Sequence, residues 1–162
     1  MRWLSFLLLP LLCFALTAGS SNKKPKVAIR VFSEASPMDT EKFSTPIDLR
    51  YPPRTTYLNK IPHISEFDIQ SVYAFTAKDG TMGCAFKLDR HGAIALDTMS
   101  IEKRGQSVVI MVNGRNVIDL IVDRRISDGI LTIPFGLTDE EVRKITKEWP
   151  SIRESKSKGV AR

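Results

Sequence analysis

Few residues in this chain have the chemistry of a catalytic or metal-binding group. Two histidines, His63 and His91, and two cysteines, Cys13 and Cys84, are its only imidazoles and thiols. Asp89 and His91 are near neighbours, but two ligands fall short of a metal site without distant help. Cys84 with His91 would make a nucleophile and its base only if folding brought them within hydrogen-bond reach. Asp123, Arg124, Arg125 and Asp128 form a charged cluster, suited to gripping a carboxylate or to local ion pairs in a solvated turn. His-Glu-x-x-His, paired-cysteine and Gly-x-Ser-x-Gly patterns are absent, and Gly129 and Gly136 lack the surroundings of a phosphate-cradling loop. The expectation is a chain that is not an enzyme, with no catalytic residue, no metal site and no cofactor. Cys84, among apolar neighbours, is expected as a small buried hydrophobe, with a disulfide-linked dimer as the alternative.

The clearest elements lie between Gln106 and Pro150. Ser107 to Val112 is β-branched and apolar, Asn113-Gly114 follows, and Val117 to Val122 returns: a hairpin on a turn whose central residues both need positive φ. Simple alternation puts Ile118, Leu120 and Val122 on one face and Val117, Asp119 and Ile121 on the other. Asp128-Gly129 is a second turn, Ile130 to Ile133 a short strand, and Pro134 and Gly136 break the sheet pattern. Thr138-Asp139-Glu140-Glu141 is a capping box opening a helix whose apolar stripe is Val142, Ile145 and Trp149. Upstream, Val27 to Phe32 alternates as a strand. Residues 33–57 are punctuated by Pro37, Pro46, Pro52 and Pro53, with short strands at 47–49 and 55–58; Tyr51-Pro52-Pro53 reads as a stiff loop or a ligand for an aromatic groove. Ser65 caps a helical turn, Gln70 to Ala77 and Met82 to Leu88 flank a turn at Lys78-Asp79-Gly80, and Asp89 caps a helix from Arg90 to Lys103 that ends at Gly105. Its apolar flanks are Ala95, Leu96 and Met99 on one side and Ile94 with Ile101 on the other. The order predicts an α+β fold, an antiparallel or mixed sheet with two helices on one face.

Charge and hydropathy set the boundaries. The net charge is +6, yet residues 27–150 hold 16 Lys and Arg against 17 Asp and Glu, so the excess is at the ends. A nucleic-acid-binding domain puts its positive charge on the folded face, and that class is set aside. Residues 1–20 have the form of a signal peptide, with Arg2, the apolar run Trp3 to Leu16 and small residues at Thr17 to Ser20. The run is shorter than the roughly 20 residues that span a bilayer, with an uncleaved N-terminal anchor as the alternative. The expected organisation is a signal peptide over 1–20, a linker over 21–26, one domain over 27–150 and a basic flexible tail over 151–162. The product would be secreted or periplasmic, with no transmembrane helix after cleavage.

From Ile64 to Trp149 the chain resembles the head subdomain of the first periplasmic domain of SecD, the export-assisting membrane subunit of bacterial protein secretion. The resemblance rests on several motifs. They are Ser65-Glu66-Phe67-Asp68-Ile69, the hairpin Val72 to Leu88, Asp89-Arg90-His91-Gly92-Ala93 entering a helix, and Arg104-Gly105-Gln106 before Val108 to Val112. The turn Asn113-Gly114-Arg115, Ile126 to Gly129, and the helix start Leu137-Thr138-Asp139-Glu140-Glu141-Val142 complete it. It covers roughly half the chain and implies a periplasmic module of that fold with affinity for extended polypeptide. SecD also carries transmembrane helices that couple proton flow to movement; that role does not carry over, and the resemblance supplies no catalytic residues.

Three functions follow as expectations. The first is a non-enzymatic interaction module that takes an extended or unfolded polypeptide, or an envelope protein, along the strand edge Ile130, Leu131, Thr132 and Ile133, or along the hairpin 108–122. Replacing Ile130 by Pro should abolish binding at that edge. The second is an envelope-associated subunit held by oligomer contacts through Trp149 or Tyr51. The third is a small enzyme, whose best residues would be eliminated if joint replacement of Cys84, His63 and His91 left turnover unchanged.

Overall fold

The computed structural model describes residues 25–36, 38–39 and 42–152. The expected signal peptide, most of the linker and the tail from residue 153 lie outside the described residues. The strands are β1 (Ile29–Ser33), β2 (Ser44–Arg50), β3 (Pro53–Asn59), β4 (Ile69–Thr76), β5 (Met82–Leu88), β6 (Ser107–Val112), β7 (Arg115–Ile121) and β8 (Ile130–Leu137). The helices are α1 (Arg90–Glu102) and α2 (Asp139–Glu148), with a single 3-10 turn at Glu66–Asp68. This is an α+β fold. Its strands form three antiparallel sheets rather than one, with orders β1-β6-β7, β2-β3 and β4-β5-β8. Both helices pack on the β4-β5-β8 sheet.

Local chemistry explains the elements that the sequence marks clearly. Asn113 and Gly114 take φ of 50° and 81°, the positive values a tight β6–β7 turn requires. Thr138 Oγ1 accepts from the Glu141 amide while Glu141 Oε2 accepts from the Thr138 amide, which closes the capping box of α2. Asp89 caps α1 by accepting from the Gly92 amide at 2.8 Å. Gly92 costs helix propensity, but a Cβ there would sit 2.7 Å from Asp68 Cβ, so the close approach of α1 to the 3-10 turn requires glycine.

One core unites the two larger sheets and both helices. Val31, Ile110 and Ile118 from one sheet meet Phe86, Leu131 and Ile133 from the other, with Leu96 and Met99 from α1 and Ile145 from α2. Trp149 is buried there too, its ring edge-on to Phe86 with centroids 6.5 Å apart, so it serves the chain's own core rather than an oligomer contact. A smaller cluster lies on the opposite face of the β1-β6-β7 sheet, where Leu49 and Leu58 of the β2-β3 hairpin cover Val109.

Several expectations are corrected. The segment 33–57 contains most of the β2–β3 hairpin, both strands longer than expected. A register shift opposite Ile110–Met111 inserts Val117 as an extra residue, so Val117 and Ile118 both enter the main core. Asp119 is fully buried on the other face, beneath the hairpin tip, and Leu120 and Ile121 are exposed. The strand at Ile130 continues through Pro134 and Gly136 to Leu137, by means of a second register shift. Ile94 and Ile101, read as an apolar flank of α1, face solvent.

Candidate functional site

The edge strand Ile130–Ile133 is where chemistry and access meet. Among the described residues, β8 pairs only with β5. The Leu88 amide donates to Gly129 O at 3.0 Å, so the backbone groups of Gly129, Leu131 and Ile133 point toward β5. By the alternation of an antiparallel ladder, those of Ile130 and Thr132 point away from it. The Ile130 amide is taken by Asp128 Oδ1 at 3.0 Å. Thr132 therefore presents an N–H and a C=O, and Ile130 a C=O, along the outer edge. Pro134 follows where the register with β5 shifts and has no N–H to offer, which ends the row of donors. The side chains alternate as well: Leu131 and Ile133 enter the core, while Ile130 and Thr132 are exposed.

This edge forms one wall of a groove. At its narrow end β7 and β8 approach closely: a Cβ at Gly136 would lie 3.4 Å from Val117 O. Arg115 locks that end, with Nη2 donating to Gly136 O at 3.1 Å and to Glu141 Oε2 at 2.6 Å. Burial raises the Glu141 pKa, but the hydrogen bonds from Arg115 and Thr138 outweigh it and hold the carboxyl below its usual value. Toward Ile121 and Ile130 the strands diverge and leave a cavity of about 630 Å³. Leu96, Met99 and Ile110 form its apolar floor, and Leu120 and Ile130 its upper walls. Residues 123–128 cross the wide end. Arg125 in that segment is committed to a bidentate pair with Asp97, so the charged cluster read from the sequence makes a local ion pair.

The groups singled out for chemistry are used structurally. Cys84 is fully buried, and burial pushes its thiol up to about 12, far from a reactive thiolate. His91 is exposed and so does not partner it. Instead His91 Nδ1 bonds Asp68 Oδ1 at 2.8 Å; that carboxylate raises the His91 pKa. Burial acts to raise the Asp68 pKa, but hydrogen bonds from Ser65 and His91 lower it further. Asp68, Asp89 and His91 bring three donor atoms within 4.8 Å of one another, a closer cluster than spacing alone suggested. Each is already engaged: Asp89 caps α1 and Asp68 binds the Ser65 amide and hydroxyl. The positive end of the α1 dipole also opposes a cation there.

Two arrangements escaped the sequence. Ser33 Oγ lies 2.8 Å from His63 Nε2, the spacing of a nucleophile and its base. Ser33 is fully buried and also accepts from Asn59 Nδ2 at 3.1 Å, so substrate has no approach to it. Burial, with help from the Lys103 charge, lowers the His63 pKa and keeps the ring neutral as a partner for Ser33. Asp119 Oδ2 accepts the amides of Arg50 and Tyr51 at 2.6 and 2.9 Å, latching the hairpin tip to β7. An acid in the middle of an apolar strand was the available signal for that role.

No protein-family model matches the sequence, and no curated protein matches it. Solved structures do match the fold. One is a structure of a membrane component, SecDF, that enhances protein export, with a TM-score of 0.54 and 14% identity over 76% of this chain and 63% of that one. Another is a crystal structure of SecDF in its super-membrane-facing form, with the same score and identity, over 76% of this chain and 19% of that one. The chain thus spans less than two thirds of the proteins it matches. The likeness reaches beyond the half of the chain that carries the sequence resemblance, and the fold is SecDF-like.

Proposed function

We propose that this chain is an extracytoplasmic, non-enzymatic interaction module associated with protein export, which binds an extended polypeptide segment by strand addition along Ile130–Thr132. The observation that carries this reading is the outward backbone of Ile130 and Thr132 beside an apolar-floored groove. Main-chain hydrogen bonds to an edge supply affinity without demanding a sequence, which suits a partner met before it folds. The floor then favours segments with apolar side chains at alternate positions. The SecDF-like fold supports the connection to export, since SecDF enhances that process. The signal-peptide form of residues 1–20, the linker to residue 26, the single domain to residue 150 and the basic tail are the organisation this reading adopts. No described helix is long and apolar enough to cross a membrane.

Thr132→Pro is the sharpest test. It removes the outward N–H and leaves the β5 ladder intact, because the Thr132 amide does not face β5. Ile130→Pro is less clean, since it also removes the hydrogen bond that the Ile130 N–H donates to Asp128 Oδ1. Affinity for an unfolded secretory polypeptide should fall at least about tenfold in Thr132→Pro, the loss of one well-placed hydrogen bond and its neighbours. Unchanged affinity in a folded Thr132→Pro protein would refute strand addition at this edge.

A further inference from the structure

The segment joining β7 to β8 closes the wide end of the groove, and its ends and middle are held differently. At one end, the Gly105 amide donates to Val122 O at 2.8 Å and the Val122 amide to Gln106 O at 3.0 Å. At the other, the Leu88 amide donates to Gly129 O at 3.0 Å. Both ends are thus fixed by backbone hydrogen bonds to neighbouring elements. Among the described residues the middle has two polar fasteners, both on α1. Arg125 Nε and Nη2 donate to the two carboxylate oxygens of Asp97 at 2.6 and 2.8 Å, and the Ile126 amide donates to Ser100 Oγ at 2.9 Å. Ile126 itself packs against the edge of the main core.

Those fasteners sit on the helix that also supplies Leu96 and Met99 to the groove floor. The Arg125 side chain is 61% exposed, so counter-ions reach the pair and weaken it. Ser100 is buried and its hydroxyl also donates to Asp97 O at 2.8 Å, so the two fasteners meet at one turn of α1. Breaking the ion pair loosens the segment without touching the buried side chains that join the sheets.

We infer, resting on the peptide-binding reading above, that residues 123–128 are a strap that gates the groove. Fastened to α1 by Arg125–Asp97 and Ile126–Ser100, the strap shuts the wide end. Released, it swings between its fixed ends at Val122 and Gly129 and admits a longer extended segment along β8. Salt therefore opens the gate.

The test uses the full chain as wild type, Asp97→Asn, Arg125→Gln, the double variant and the exchanged pair Asp97→Arg with Arg125→Asp. Two quantities are read at about 0.05 M and about 0.5 M salt: hydrogen exchange at the Ile126 amide, and affinity for a synthetic unfolded peptide of alternating apolar and polar residues. Each single variant should exchange faster at Ile126 and bind the peptide about threefold more tightly, the scale of one exposed ion pair. The double variant should match the singles, the exchanged pair should restore slow exchange, and salt should move only wild type and the exchanged pair. Exchange at Ile126 that is unchanged, or that rises together with core amides such as Val109, overturns the strap. Wild-type binding with the same affinity in every variant overturns the gate alone. Absence of binding by wild type and all variants overturns the peptide-binding reading itself.

Discussion

The β4-β5-β8 sheet has two outer edges, and the chain treats them differently. At β4 the outward Val72 amide donates to Pro150 O at 2.9 Å, and Val72 pairs with Ser151 in a short parallel bridge. The chain has added its own extended segment to that edge. At β8 the outward groups of Thr132 open into the groove, and no described segment pairs with them. The difference is in what holds a cover in place. The stripe Val142, Ile145 and Trp149 seats α2 on the sheet and delivers Pro150 to β4. The strap leads away from the β8 edge to fasten on α1. An uncovered edge is a liability for aggregation, and here it is short: Pro134 ends the donor row after Thr132.

The largest expected effect comes from removing the support of the covered edge. Trp149→Ala deletes a buried ring that packs on Phe86 and should cost about 3–5 kcal/mol, read by chemical unfolding. Exchange of the Val72 amide should then accelerate more than that of Thr132, because the β4 edge loses its cover while the β8 edge had none. Equal acceleration at both would mean that α2 and Pro150 do not protect the β4 edge.

Gly83→Ala should come next. A Cβ at Gly83 would lie 2.6 Å from both the Phe75 ring and Pro134 O, so β5 and β8 must part where their register shifts. The expected loss is about 1–3 kcal/mol, with weakened peptide binding although residues 130–133 are untouched. Glu141→Gln should be milder, about 0.5–1 kcal/mol, because Arg115 stays partly solvated. Its signature is a shift of the Gly136 amide resonance at the narrow end of the groove.

The smallest effect separates the two histidines by sign. The His63 pKa is lowered in the fold, so its contribution is intact above the unfolded value of 6.5 and is lost as pH falls below it. The His91 pKa is raised, so its contribution is full below 6.5 and is lost as pH rises through the folded value. Melting temperature between about pH 5 and pH 8 should therefore fall more steeply toward acid in His91→Gln than in wild type, and less steeply in His63→Gln. The reverse order would contradict the assigned partners, Asp68 for His91 and Ser33 for His63.

Much of the fold is legible in the sequence wherever one residue's own chemistry decides. Asn113-Gly114, the Thr138–Glu141 box and the Asp89 cap each act within a few residues, and each formed as read. The β2–β3 hairpin was reduced to two fragments because Pro46, Pro52 and Pro53 interrupt its pattern, and its pairing is set by packing on Val109. Val117 departs from simple alternation because a bulge inserts it as an extra residue beside Ile118, while Ile118 and Asp119 keep the faces that alternation assigns. The site was legible in part. Ile130 to Ile133 stood out as a strand at an edge, but which backbone groups face outward depends on the register with β5. The groove depends on how β7 and β8 diverge, and neither strand encodes that alone. The burial of Ser33 and Asp119 likewise comes from elements distant in sequence.

The central claim is that the open edge, and not the covered one, receives polypeptide. An amide NMR titration of the protein with an unfolded secretory polypeptide, at low and high salt, tests it most directly. Shifts are expected at Ile130, Thr132 and the facing Leu120 and Ile121 that persist in high salt, with Val72 and Ala74 unmoved. Shifts along β4 instead, or shifts confined to the basic ends of the chain and lost in salt, would contradict it.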